Sequence, residues 1–263
     1  MNTSETDRFL VDKLEVLILK DETALGTEAA HLGGVLIRKA IAEKGVARVI
    51  FSAANSQLEM VRILTALPDI NWSAVEVFHV DEYEGIGEDA PISFRRWVRE
   101  QIVERVHPRQ THYLAGDAAD LEQACAHYGQ LLAAAPIDVA FLGFGENCHI
   151  GFNDPHEADF NDPYPVRRVT LDDRCRFQQY SEGHFADPAS VPRAGVTLSC
   201  PALISAARIV CCVPGSRKAE AVRNALEGPI AESCPGSILR RHPHAYLFLD
   251  ADSATLLAKR VQS

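Results

Sequence analysis

The chain has 263 residues, 26 Lys and Arg against 36 Asp and Glu, and a formal net charge of −10 at pH 7. With 47% hydrophobic and 24% charged residues it has ordinary globular composition and can bury a sizeable core, while the acidic balance argues against nucleic acid and against an anionic membrane surface as partners. No Gly/Ser/Pro-rich linker or charge run divides it, which favours a single domain over residues 1–263.

The N-terminal stretch lacks a basic start followed by a long apolar segment, so no signal peptide or membrane span is expected, and the protein is placed in the cytoplasm. Residues 14–19 read as a first strand and 22–44 as a long helix, with Ala29, Leu32, Gly33, Leu36, Ile37, Ala40 and Ile41 at helical spacing and Gly45 as its closing glycine. A second strand over 46–51 leads into the turn Ser52-Ala53-Ala54-Asn55-Ser56 and a helix over about 57–67. Unpaired N–H groups at such a helix start welcome an anion, and Asn55 and Ser56 could add donors; the plainer alternative is a capped helix start.

Residues 75–80 form a third expected strand, running into Asp81-Glu82-Tyr83. Helices are expected over 93–106 and 121–133, the latter with Cys125, Tyr128, Leu131 and Leu132 on one side. The apolar run 137–142 reads as a strand buried on both faces, ended by Gly143 and Gly145. Further strands are expected over 166–171, 209–213 and 245–249, and a terminal helix over 253–261 capped by Asp252 or Ser253. The turn Pro214-Gly215-Ser216-Arg217-Lys218 opens a helix to about Leu226. Seven cysteines without CxxC spacing indicate neither a disulfide framework nor a zinc site, and most read as small core residues in a reducing compartment.

This βαβα alternation predicts an α/β fold, a doubly wound and mainly parallel sheet flanked by helices. In such sheets ligands bind beyond the carboxyl ends of the strands. Four strand ends carry polar or glycine-rich loops: 52–56, 81–83, 143–154 and 214–218. The loop after residue 142 places His149 between Glu146 and Asp154, an arrangement that can set an imidazole's tautomer for acid/base work.

Several motifs, in order, resemble the glucosamine-6-phosphate deaminase/isomerase and 6-phosphogluconolactonase superfamily, from about Leu17 to the C-terminus. They are Val80-Asp81-Glu82-Tyr83 with Gly85; Gly143-Phe144-Gly145 leading to His149-Ile150-Gly151-Phe152-Asn153-Asp154-Pro155; Val191-Pro192 before a strand; and Gly215-Ser216-Arg217-Lys218-Ala219 with Glu227-Gly228. The Asp-Glu-Tyr segment and the Phe-Asn-acid-Pro tail look like the deaminase branch. The resemblance implies a Rossmann-like fold and chemistry without a metal or redox cofactor. It implies Asp81 as the carboxylate that shuttles a proton between C2 and C1 of the sugar, His149 as the ring-opening acid/base, and Asp154 as the acid that orients it. It further implies Lys218 as a phosphate ligand, with Asn55 and Ser56 in the phosphate loop. Family deaminases are monomeric or hexameric, which leaves a homo-oligomer open.

Three positions depart from the family pattern. Asn147 stands where the deaminases carry an aspartate, so Glu146 is the candidate replacement as the histidine's partner. Cys148 stands where a glycine is usual. The phosphate loop is Ala53-Ala54-Asn55-Ser56, and the arginine that joins it falls near Ser181, so Arg176, ahead of Arg174, is the candidate replacement cation. Three functions follow as expectations: an isomerase/deaminase on an amino-sugar phosphate such as glucosamine 6-phosphate, a 6-phosphogluconolactonase-type hydrolase that would not need Asp81, or a catalytically silent sugar-phosphate sensor.

Overall fold

A computed structural model describes residues 7–183 and 185–258. Its strands, in chain order, are β1 (Asp7–Val11), β2 (Leu14–Leu19), β3 (Ala47–Phe51), β4 (Val75–His79), β5 (Asp81–Tyr83), β6 (Gln110–Thr111), β7 (Val139–Leu142), β8 (Val166–Thr170), β9 (Ala194–Leu198), β10 (Arg208–Val213) and β11 (Ala245–Asp250). Eight of these form one sheet in the order β1-β2-β11-β10-β7-β3-β4-β6, with only the β1–β2 pair antiparallel. The doubly wound, mostly parallel fold is thus present, with an N-terminal hairpin strand added at its edge.

The helices are α1 (Glu22–Lys44), α2 (Leu58–Leu64), α3 (Phe94–Val98), α4 (Glu104–Val106), α5 (Leu121–Ala133), α6 (Asp173–Ser181), α7 (Cys200–Ile204) and α8 (Ala219–Glu227). Asp21 caps α1 by accepting from Ala24 N at 2.8 Å, and Gly45 closes it in the left-handed region at φ 76°. The helix expected over 93–106 is continuous but wound as a π segment over Arg99–Val103. Side chains alternate across the sheet: Ile50, Ala140 and Leu247 join the core on one face, and Phe51, Phe141 and Phe248 join the core on the other. The central strands are therefore apolar along most of their length, β7 (VAFL) wholly so.

The terminal helix expected over 253–261 does not form over 253–258, where the chain runs in turns; residues 259–261 lie outside the described residues. Neither Asp252 nor Ser253 starts a helix there. Instead the Asp250 carboxylate accepts from Ser253 N at 2.7 Å and from Gly215 N at 3.0 Å, tying the end of β11 to the turn before α8.

A second sheet, antiparallel in the order β5-β9-β8, sits beyond the carboxyl end of β4. The Asp-Glu-Tyr segment is thus strand rather than loop, and residues 166–170 pair in this sheet, not the main one. Glu82 is fully buried behind it. Its carboxylate accepts from Tyr83 N (2.9 Å), Ser93 Oγ (2.6 Å), Phe94 N (3.1 Å) and Arg95 N (3.0 Å), and pairs with buried Arg95 Nε at 3.4 Å. One acid therefore satisfies the orphan N–H groups that start α3 and fixes the strand bearing Asp81. Removing it leaves Ser93 Oγ and three backbone N–H groups without their acceptor and costs the buried Arg95 one of its two carboxylate partners, the other being Asp117, so Glu82→Ala is expected to lose about 3–5 kcal/mol of unfolding free energy. Urea denaturation checks this, and a loss below about 1 kcal/mol would contradict the burial argument.

Candidate functional site

All four strand-end segments meet a helix around one cleft. Ser52, Ala53, Ala54 and Ser56 line it from the end of β3, and Asp81 enters from β5. The loop after β7 contributes Gly143, Gly145, His149 and Phe152 among others, and Lys218 comes from the turn before α8. A fifth contribution, Gln178, Gln179 and Glu182 on and just after α6, was not anticipated.

Asp81 and His149 share this cleft, and the second sheet explains how. Asp81 pairs with Thr197 across β5–β9. Thr197 Oγ1 accepts from Phe152 N at 3.1 Å, and Asn153 Nδ2 donates to both Leu198 O and Ile150 O at 2.8 Å. Strand β9 thus holds the Asp81 strand on one edge and the His149 loop by these bonds. Behind Asp81, the buried His79 is held neutral, its pKa pushed down to about 4 by burial. Its Nε2 accepts from Leu114 N at 2.8 Å, so Nδ1 carries the proton and donates to Asp81 O at 3.0 Å.

His149 turns Nδ1 away from the cleft, 2.6 Å from Asn147 Oδ1 and 3.2 Å from Asp154 Oδ1. The Asn147 amide orientation follows from its Nδ2, which donates to Asp154 Oδ1 and Asp172 Oδ2 at 2.9 Å each. With two acceptors at Nδ1, the proton sits there and Nε2 is the ring's basic atom. Burial by itself would raise Asp154; hydrogen bonds from His149, Asn147 and the Asp172 backbone outweigh it and hold the carboxyl below its ordinary pKa. The Asp154 side chain, expected to orient the histidine, does reach it. Burial, reinforced by Glu82, pushes the Asp81 carboxyl well above the usual range. The Lys218 pKa is lowered by burial, and Glu182 and Glu146 oppose that shift.

Loop geometry brings His149 close against Gly145: a Cβ there would lie 2.1–2.5 Å from three atoms of the imidazole. Gly145 N donates to His149 O at 2.8 Å, closing the tight turn between them.

Several residues lie elsewhere than expected. Glu146 is not the histidine's partner; it pairs with Arg217 at 2.6 Å, and Asn147 fills the place beside the imidazole. Arg176 does not line the cleft. Its guanidinium donates to Val191 O (3.1 Å) and Pro188 O (3.0 Å), pinning the segment before β9. Arg174 pairs with Glu220 at the surface. Asn55 faces a separate open groove with Glu22 and Arg62, whereas Ser56 and Lys218 line the cleft. Gln178 and Gln179 were missed because a glutamine on a helix carries no sequence signal; only their position nearly two turns past the Asp172 cap could have drawn attention to them.

A disulfide joins Cys148 to Cys234, correcting the expectation that no bridge forms. Cys148 adopts φ 72° where the family has glycine, and Gly236 N donates to Cys148 O at 2.8 Å, so the His149 loop is tied to the Pro235–Arg241 turn. The other five cysteines are free and buried. Thiol titration of the denatured, unreduced chain is expected to find five groups, and seven after reduction; seven before reduction would show the pair open. Among the described residues, two groups could hold a metal ion: His149, Asp154 and Cys175, and Asp154, His156 and Asp172. No helix among those residues is long and apolar enough to cross a membrane.

Residues 20–247 match the family model of glucosamine-6-phosphate isomerases and 6-phosphogluconolactonase. Glucosamine-6-phosphate deaminases of Bacillus thuringiensis (strain Al Hakam) and Bacillus cereus (strain B4264) are each 32% identical over 194 residues, 73% of this chain and 71% of theirs. A monomeric glucosamine-6-phosphate deaminase of known structure superimposes with a TM-score of 0.83 at 28% identity, over 92% of this chain and 99% of that one. A 6-phosphogluconolactonase from Shewanella baltica OS155 superimposes at 0.75 and 20% identity, over 92% and 100%, a likeness of fold.

Proposed function

The chain belongs to the family of glucosamine-6-phosphate isomerases and 6-phosphogluconolactonase, and from that membership we propose that it is an amino-sugar phosphate isomerase/deaminase, converting glucosamine 6-phosphate and water to fructose 6-phosphate and ammonia. The observation that carries the reading is the pairing, in one cleft, of a basic His149 Nε2 with the buried Asp81 carboxyl.

Ring opening needs a proton moved from the anomeric hydroxyl to the ring oxygen, and His149 Nε2 is the group for it, with Asn147 and Asp154 fixing the ring at Nδ1. The open chain has an aldehyde at C1, which acidifies the C2 proton. Asp81 takes that proton to give an enolamine and returns one to C1. The C2 iminium then adds water and releases ammonia. A carboxyl whose pKa is raised by burial is a stronger base once ionised, which suits it to this transfer. Lactone hydrolysis would require a base acting on water and gives no role to the Asp81 carboxyl. Sugar phosphates are made and retained inside cells, so the proposed site of action is the cytoplasm.

Ammonia release from glucosamine 6-phosphate, measured alongside 6-phosphogluconolactone hydrolysis, tests the reading. Ammonia release at a kcat of order 1–10³ s⁻¹ supports it. Hydrolysis alone would establish the lactonase, and ligand-induced stabilisation without turnover would establish a sensor.

A further inference from the structure

Besides the acid/base pair, the cleft has one lining cation among the described residues, Lys218, and an acid, Glu182, close enough to influence it. The arginines near this end are engaged elsewhere: Arg176 with backbone carbonyls and Arg217 with Glu146. Three neutral polar lining side chains are each more than nine-tenths buried, Ser52, Gln178 and Gln179, 8%, 5% and 7% exposed, and of these Gln178 is already committed, its Oε1 accepting from Glu146 N and its Nε2 donating to Glu182 Oε1.

The Ser52 Oγ is buried with no hydrogen-bond partner in the structure. Such a group costs free energy unless something binds it, and this one stands at the carboxyl end of β3, where Ser52 N is already committed to Phe141 O at 2.9 Å. A serine hydroxyl rotates about its own Cα–Cβ bond, so Oγ can turn toward a ligand in the cleft without backbone movement. Gln179 is held from one end. The Tyr83 phenol, kept protonated by burial, donates to Gln179 Oε1 at 2.7 Å, which sets the carboxamide and leaves its Nε2 without a protein acceptor among the described residues.

We propose that Ser52 and Gln179 are substrate-binding residues that, with Lys218, hold the anionic end of the ligand through one cation and two neutral donors. The ligand class is a phosphate monoester, and the inference rests on the deaminase reading only for the identity of the sugar attached to it. Because Glu182 partly offsets the field of Lys218, the neutral donors carry a larger share of recognition than they would beside a second guanidinium. The phosphate is unchanged by the reaction, so contacts to it are made alike in ground state and transition state and their loss appears in KM.

The test uses Ser52→Ala and Gln179→Met, which remove a donor at little change in volume, with Ser52→Thr as the conservative control. Each donor loss is expected to raise KM for glucosamine 6-phosphate about tenfold with kcat within about twofold, and to raise about tenfold the inorganic phosphate concentration needed for the thermal stabilisation seen in the unmutated protein. Ser52→Thr should leave both unchanged. Unchanged KM and unchanged phosphate stabilisation in both variants would overturn the proposal, as would an unmutated protein that phosphate does not stabilise. If the unmutated protein releases no ammonia yet is stabilised by phosphate, and the variants need about tenfold more phosphate for the same effect, the deaminase reading fails while these two ligand contacts stand.

Discussion

Asp81→Asn is expected to lower ammonia release by about 10³-fold or more and, at neutral pH, to make the folded chain more stable than the unmutated one. The first effect follows from removing the group assigned to the C2–C1 proton transfer, for which positioned acid/base groups contribute about 10²–10⁴-fold. The second follows from burial. The folded-state pKa of Asp81 lies well above that of the unfolded chain because desolvation, and then Glu82, disfavour the charge. Between those two pKa values the folded state binds more protons than the unfolded one, so stability falls as pH rises through that window. Asparagine fills the same volume and never ionises. The variant's advantage in Tm should therefore be small below about pH 4, near the unfolded carboxyl pKa, and grow as pH rises. Each kcal/mol corresponds to about 2–4 °C for a chain of this size. Melting curves from pH 4 to pH 8 check it; a Tm difference independent of pH would show that ionised Asp81 costs the fold nothing.

The other large effect is expected from a glycine. In Gly145→Ala the new methyl would overlap the imidazole of His149, with the nearest ring atom 2.1 Å from the Cβ. The ring must swing off Asn147 Oδ1 and Asp154, because the backbone between the two residues is held by the Gly145 N to His149 O bond. A displacement of about 1 Å costs on the order of 10²-fold in rate. The expected result is a fall in kcat of at least about 10²-fold with KM changed little, since the phosphate-facing wall is untouched. A fall in kcat of less than about tenfold would show that His149 tolerates the shift. Recording the Tm of the same variant separates this local displacement from general misfolding.

Much of the main sheet was legible because its elements announce themselves locally. Helix α1 has an Asp21 cap, small residues at helical spacing and a closing Gly45, and it forms over the expected span. Strands buried on both faces, such as β7, read as short apolar runs. The smaller sheet was less visible. Strand β5 has three residues, too few for any periodicity, and it is strand only because β9, more than a hundred residues away, pairs with it. Residues 166–170 carried a correct strand signal with nothing to say which sheet they join.

At the cleft, residue type predicted position unevenly. Asp81, His149, Asp154, Ser56 and Lys218 were named from their loops. Arg176 was favoured for its charge, yet a helix turns side chains about 100° per residue, and that rotation hands the cleft to Gln178 and Gln179. Glu146 was favoured for the same reason, and the neutral Asn147 stands nearer the imidazole because its carboxamide can accept from Nδ1 while donating to two carboxylates. The Cys148–Cys234 bridge joins residues 86 apart, and nothing in the spacing links them.

The antiparallel trio of strands also implies a division of labour in how this protein can change. The reacting groups are mounted on ladder pairing through β9, whereas Gln178, Gln179 and Glu182 ride on and just after a short helix anchored at its start by Asp172. Mutations can therefore retune which sugar ester is admitted by rewriting α6, while the distance between proton donor and acceptor stays under the separate control of the strand register.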